Sequence, residues 1–173
     1  MPDISADPVT DPDPTVPSPP EFRSPTLADG SPMWRLARDT GVLDLNSSYA
    51  YLLWCRDFAQ TSVVAVIDGA FAGFITGYLR PDAPGTLMIW QVATDARFRG
   101  RGLAKGMLDH LVEATRPDRL ETTITADNTA SISLFTGFAD RRGATCSRTA
   151  LFTPEHYPDS HETEYLFEIG PLS

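Results

Sequence analysis

The chain has 173 residues, 42% hydrophobic and 21% charged, which is room for one globular domain and a tail. Its formal net charge of −9 argues against nonspecific nucleic-acid binding and against attraction to anionic membranes. No apolar run reaches the roughly 18 residues of a transmembrane helix, and neither a basic start nor an apolar core marks a signal peptide, so a cytoplasmic protein is expected.

Residues 1 to 21 read as a separate region. Pro2, Pro8, Pro12, Pro14, Pro17, Pro19 and Pro20 alternate with small polar residues and with Asp3, Asp7, Asp11 and Asp13. Proline removes backbone donors, and so little apolar mass cannot offset the entropy of ordering. A disordered, extended tail is expected, with a proline-rich partner motif as the alternative.

Folded sequence is expected from residue 22 to residue 173. Ser31 and Pro32 predict the start of a first helix that ends at Gly41. Leu43 to Asn46 reads as a loop, and Ser47 or Ser48 caps a second helix through Phe58. The period then changes. Ser62 to Ile67 and Phe71 to Leu79 form a hairpin around Asp68-Gly69. Arg80 to Gly85, with two prolines, reads as a loop, and Leu87 to Thr94 as a central apolar strand. A third helix runs from Arg101 to Ala114, a strand from Leu120 to Ala126, and a fourth helix starts at Asp127 or Asn128. Strands at Ala144 to Phe152 and Glu164 to Ile169 close the chain. That order, with room for a short strand at its head, specifies an α/β fold: a mixed central sheet flanked by helices. Cys55 and Cys146 form no CxxC motif and read as two free thiols in a reducing compartment rather than a disulfide.

The most informative segment is Arg97-Phe98-Arg99-Gly100-Arg101-Gly102-Leu103-Ala104, between an apolar strand and an amphipathic helix. A helix start offers unpaired N–H groups and a partial positive charge, and glycines let the backbone approach a ligand closely. Arg97, Arg99 and Arg101 add positive charge. The segment is suited to a pyrophosphate. The competing reading is an arginine-rich surface turn. It is neither a Walker A loop nor a three-glycine dinucleotide fingerprint.

Arg97-x-x-Gly100-x-Gly102 after such a strand resembles the acetyl-CoA loop of the GNAT superfamily of N-acetyltransferases, and the resemblance covers nearly all of residues 22 to 173. It implies that the backbone from Arg99 through Gly100, Arg101, Gly102 and Leu103 to Ala104 holds the CoA pyrophosphate. It implies that the central strand splays from its neighbour, exposing backbone groups of Val92 and Thr94 to the pantetheine and thioester. Asn128 matches an asparagine frequent beside the CoA arm. One departure matters: where many members carry a tyrosine that protonates the leaving thiolate, this chain has Phe135.

Three separated segments, Gly41 to Leu52, Trp90-Gln91-Val92 and His161-Glu162-Thr163-Glu164, look like the diaminobutyrate acetyltransferase family. That resemblance implies acetylation of the 4-amino group of L-2,4-diaminobutyrate on the route to ectoine, by a cytoplasmic homodimer without a metal.

Amide formation needs a neutral amine, whereas a lysine-like amine has a pKa of about 10.4. The site must capture the ammonium, remove a proton and stabilise an oxyanion, for which the Val92 amide is the donor suggested by the resemblance. Asp44 and Glu164 are the acceptors expected for substrate amino groups, against readings as a solvated loop acid and a polar strand edge. His161 is placed to accept the proton or, when charged, to bind a substrate carboxylate, against the reading of a solvated loop histidine. With Glu164 it lacks a third metal ligand of suitable spacing. Tyr49 is the candidate donor to the thiolate or to substrate, or it simply packs the second helix. Trp90 is a substrate wall by resemblance and core by sequence. Two other functions stay open: acetylation of a different small amine or amino acid, and a noncatalytic CoA-sensing module.

Overall fold

A computed structural model describes residues 18 to 172. The expected tail lies largely outside the described residues. Glu21, assigned to it from sequence, belongs instead to the first strand, β1 (Glu21–Arg23), where it pairs with Val66.

The first helix, α1 (Gly30–Thr40), begins earlier than Ser31-Pro32 suggested. A short 3-10 turn at Leu27–Asp29 precedes it, and Asp29 rather than Ser31 occupies the capping position. The Asp29 carboxylate accepts from both Arg23 Nη atoms at 2.8 and 2.9 Å and from the Thr26 amide at 2.7 Å. This contact ties β1 to the start of α1. Gly41 ends α1 at φ 65, as a left-handed cap. Helix α2 (Ser48–Asp57) starts under a Ser47 cap that accepts from the Ala50 amide.

Strands β2 (Val63–Ile67) and β3 (Ala70–Arg80) form the expected hairpin. β4 (Ala83–Thr94) begins four residues before Leu87, so the expected loop from Arg80 to Gly85 shrinks to Pro81-Asp82. Pro84 is tolerated in the strand because it falls in an irregularity of the β3–β4 ladder: Leu79 lies opposite Leu87 and Arg80 opposite Ala83, so no ladder bond needs the missing proline donor. Then come α3 (Leu103–Thr115), β5 (Arg119–Thr125), α4 (Thr129–Arg142), β6 (Thr145–Phe152) and β7 (Glu164–Gly170).

The seven strands lie in the order β1-β2-β3-β4-β5-β7-β6. Every pair is antiparallel except β4 and β5, which are joined by the α3 crossover that parallel neighbours require. Alternation along the strands loads both faces. Val63, Ala65 and Ile67 pack with Leu103, Met107, Leu108, Leu111 and Phe138 of α3 and α4. Val64, Phe74 and Ala93 pack with Met33 and Ala37 of α1 and Tyr51 and Cys55 of α2. The result is three layers, α/β/α, as the sequence implied. Both cysteines are free; Cys55 is buried and Cys146 exposed. Among the described residues no helix is long and apolar enough to cross a membrane.

Candidate active site

The site begins with a fault in the sheet. Gly77 of β3 lies opposite Ile89 and Thr76 lies opposite Gln91, so Trp90 is an extra residue in β4, a bulge. On its other side β4 pairs with β5 only from Thr86–Arg119 to Ile89–Thr122. Beyond that point β5 stays with β7 as far as Thr125, and β4 stays with β3 as far as Thr94. The two central strands therefore diverge at the bulge. The Gln91 amide donates to Thr76 Oγ1 at 3.1 Å and the Asp95 amide to the Ala72 carbonyl at 2.9 Å, both toward β3. Alternation in an antiparallel ladder then turns the amides of Val92 and Thr94 into the wedge. These are the two residues expected to present backbone groups.

The bulge also re-aims side chains. Trp90 and Gln91 are consecutive, yet both meet α2. Trp90 packs against Trp54 with ring centroids 4.4 Å apart and planes tilted by 34°, and Gln91 Oε1 accepts from the Tyr51 hydroxyl at 3.1 Å. Tyr51 and Trp54 are three residues apart and share a helix face.

A cavity of about 200 Å³ opens at the wide end of the wedge. The structure brings Asp44, Trp90, Val92, Asn128, His161 and Glu164 together in its wall, from five separate stretches of chain. Glu164 is the first residue of β7, beside Thr125. Burial pushes its carboxyl above the usual glutamate range, with a Thr123 hydrogen bond and the nearby His161 working the other way. His161 sits in the loop between β6 and β7, stacked on Tyr157 at 4.0 Å. Its Nδ1 lies 2.8 Å from the Glu162 carbonyl and its Nε2 lies 3.8 Å from Asp44 Oδ2. The Glu162 carbonyl, with Asp44 and Glu164 behind it, raises the imidazole above its ordinary value and favours the cation, although partial burial opposes this. Asp44 is at the mouth, its side chain 91% exposed.

Asn128 caps α4, its Oδ1 accepting from the Ser131 amide at 3.1 Å, and lines the cavity. Phe135 lines the cavity and is buried, an aromatic ring with no proton to give. Tyr49 is not brought into the wall. It stands in the first turn of α2 with 65% exposure, turned about the helix from the buried Tyr51 two residues on.

The phosphate segment lies at the other end of the wedge. Gly100 and Gly102 have φ of 77 and 70, and a Cβ on either would project into space with no heavy atom within 4 Å. They border a groove of about 420 Å³ with Arg99, Leu103, Ala104 and Lys105 on one side and Ala130, Ser133 and Arg141 of α4 on the other. That open cradle, at the free N–H groups of the α3 start, fits an elongated anion. Arg97 does not line it and is paired with Asp95 at 2.7 Å, while Arg101 reaches back to the Ser18 carbonyl at 3.4 Å.

Sequence reasoning missed Gln91, Thr123, Ser131 and Lys105. Gln91 had a signal: a polar side chain inside an otherwise apolar central strand needs buried partners. Thr123 and Ser131 had none, because nothing local in the sequence places either residue at the cavity. Among the described residues no group of three or more His, Cys, Asp or Glu gathers as a metal set.

A bulged, splayed pair of central strands with a glycine-lined anion cradle at the following helix is the architecture of an acyl-CoA transferase. The model of the acetyltransferase (GNAT) family matches residues 31–138, and the chain belongs to that family. Within it, the chain is 58% identical over 155 residues to the L-2,4-diaminobutyric acid acetyltransferase of Streptomyces coelicolor, covering 86% of this chain and 91% of the relative. It is 42% identical to the enzyme of that name from Oceanobacillus iheyensis, over 87% of this chain and 88% of the other. Among solved structures it resembles the diaminobutyrate acetyltransferase EctA of Paenibacillus lautus, in complex with L-2,4-diaminobutyric acid and coenzyme A. The TM-score there is 0.86 at 39% identity, covering 90% of this chain and 96% of that one. Ard1 of Thermoplasma volcanium, at 21% identity and a TM-score of 0.72, shares the fold.

Proposed function

We propose that this chain transfers the acetyl group of acetyl-CoA to the 4-amino group of L-2,4-diaminobutyrate, giving the 4-N-acetyl product on the route to ectoine. The observation that carries this reading is one cavity, at the end of an acyl-CoA wedge, that holds two carboxylates and an imidazole biased toward its cation. The substrate carries two ammonium groups and one carboxylate, the complementary set.

In this reading Asp44 and Glu164 take the two amino groups and His161, as the imidazolium, takes the carboxylate. Glu164 faces the reacting amine. Its raised pKa brings the carboxylate nearer to neutrality and makes it a better proton acceptor than an exposed glutamate. Trp90, held by Trp54, walls the cavity and fixes the direction of approach. Acetyl-CoA supplies the activated acetyl group, with its pyrophosphate on the cradle from Arg99 to Ala104 and its arm between β4 and β5 beside Val92, Thr94 and Asn128. The Val92 N–H turned into the wedge is the donor for negative charge developing on the acetyl oxygen. Tyr49, exposed on the first turn of α2 and outside the cavity wall, is the candidate donor to substrate or to the departing thiolate.

The catalytic domain is assigned to residues 21 to 173, beginning with the first residue of β1. β6 is exposed along its whole length at the sheet edge, with Leu151 and Phe152 on it, and supports a homodimer. Two free thiols suit a reducing cytoplasm, and ectoine supply implies a role under osmotic stress.

The test is acetyl-CoA-dependent thiol release with L-2,4-diaminobutyrate, ornithine, lysine, a polyamine and a peptide N-terminus. A clear preference in kcat/KM for diaminobutyrate supports the proposal. Preference for another amine of the panel refutes the substrate assignment.

A further inference from the structure

Gln91 is 4% exposed in the middle of β4, and its carboxamide is engaged at both ends. Oε1 accepts from the Tyr51 hydroxyl at 3.1 Å, and Nε2 donates to the backbone carbonyl of Asp44 at 2.9 Å. The orientation is fixed by chemistry, because a carbonyl only accepts and so the amide nitrogen must face Asp44. The backbone of Gln91 is held too, through its amide to Thr76 Oγ1 at 3.1 Å.

What this clip holds has few other tethers, chief among them Leu43, which packs against the core beneath α1 and α2. Residues 41 to 47, between α1 and α2, form no helix or strand. Asn46 Nδ2 adds a longer bond to the same Asp44 carbonyl at 3.3 Å. Among the described residues the Asp44 carboxylate forms one ion pair, with the His161 ring at 3.8 Å. The Gln91 side chain is therefore the hydrogen-bonded link between the bulged strand and Asp44 in the loop that supplies one wall of the cavity.

We propose that Gln91 is a positioning residue: it sets Asp44 over the cavity and thereby determines affinity for a substrate with a second amino group. This rests on the reading that Asp44 holds substrate. The inference needs an amide specifically. Glutamate at this position keeps an acceptor for Tyr51 but sets a carboxylate against the Asp44 carbonyl, two acceptors with no hydrogen between them. A buried carbonyl and a buried hydroxyl without partners are each costly, so such networks tolerate little change.

The test is a double-mutant cycle of Gln91→Glu and Asp44→Asn, read by steady-state kinetics with L-2,4-diaminobutyrate and with 4-aminobutyrate, which lacks the second amine. Gln91→Glu is expected to raise the diaminobutyrate KM tenfold or more, leave the acetyl-CoA KM within twofold, and erode discrimination against 4-aminobutyrate. In the Asp44→Asn background the same change is expected to add less than twofold. Tyr51→Phe, a milder cut in the same chain of bonds, is expected to shift the diaminobutyrate KM in the same direction by a smaller factor, and it keeps the test open should Gln91→Glu fail to fold. If Asp44→Asn alone leaves the diaminobutyrate KM unchanged, the site reading fails. If Asp44→Asn raises it but the Gln91 and Asp44 effects multiply independently, or the Gln91 and Tyr51 variants only lower Tm, the site reading stands and the positioning role is overturned.

Discussion

The Asp44 carboxylate and the His161 imidazole approach to 3.8 Å across the mouth of the cavity, one from the loop after α1 and the other from the loop before β7. An anion and a prospective cation thus face each other where a zwitterionic amino acid would insert. The pair is exposed on the Asp44 side, so the contact adds little to stability and is readily opened by substrate.

Glu164→Gln is expected to raise the amine KM by roughly 10- to 100-fold, the worth of about 1.5–3 kcal/mol for a hydrogen bond to a charged group. CoA affinity, measured by calorimetry, stays unchanged because the phosphate cradle lies at the opposite end of the wedge. An amine KM like the wild type would remove Glu164 from the substrate site.

The pH profile of kcat/KM separates the two roles open to His161. The Glu162 carbonyl, then Asp44 and Glu164, hold its pKa above the ordinary histidine value, so the cation persists to higher pH. If the imidazolium binds the substrate carboxylate, its contribution is lost as pH rises through that raised pKa. His161→Asn should then lower the wild-type rate on the acid side and remove the decline on the alkaline side. A rate that rises with pH through this range in the wild type, and does not in His161→Asn, would make His161 a base instead.

Gly102→Ala tests the cradle. At φ 70 an L side chain carries about 1–2 kcal/mol of strain, and its Cβ enters open groove space. The acetyl-CoA KM is expected to rise roughly tenfold, the equivalent of 1.4 kcal/mol, while the diaminobutyrate KM stays within twofold. A rise in the diaminobutyrate KM alone would detach this loop from CoA.

Asp29→Asn is expected to cost on the order of 2 kcal/mol in a denaturant melt near neutral pH, through lost charged bonds to Arg23. Burial raises the Asp29 carboxyl, but the bonds from Arg23 and Thr26 outweigh it and hold the group below its usual value. A depressed pKa stabilises the fold above the unfolded value, and that stabilisation fades as pH falls through the folded one. The gap between wild type and variant should therefore close below about pH 4.

Much of this was legible in the sequence, for identifiable reasons. The hairpin at Asp68-Gly69, the Gly41 cap and the strand-glycine-helix passage at Arg99 to Ala104 are local signals with local physics, and each was found in place. The loop expected from Arg80 to Gly85 is shorter in the structure because proline is barred only where its missing donor is needed, and Pro84 falls in an irregularity of the β3–β4 ladder. The bulge at Trp90 had no marker, since it is fixed by the register of two neighbours rather than by a glycine in β4. Asp44, His161 and Glu164 were read as site residues, but their convergence belongs to tertiary geometry. The Gln91 clip joins residues far apart in sequence, and only its polarity within an apolar run hinted at it.

The most direct test of the central claim is the structure of the product. Wild-type enzyme, acetyl-CoA and L-2,4-diaminobutyrate are incubated, and the acetylated nitrogen is located by two-dimensional proton–carbon NMR. The account predicts acetyl on the 4-amino group alone, with the 2-amino group and the carboxylate left free after being held in the cavity wall. Acetyl on the 2-amino group, or bound CoA without any product, would contradict it.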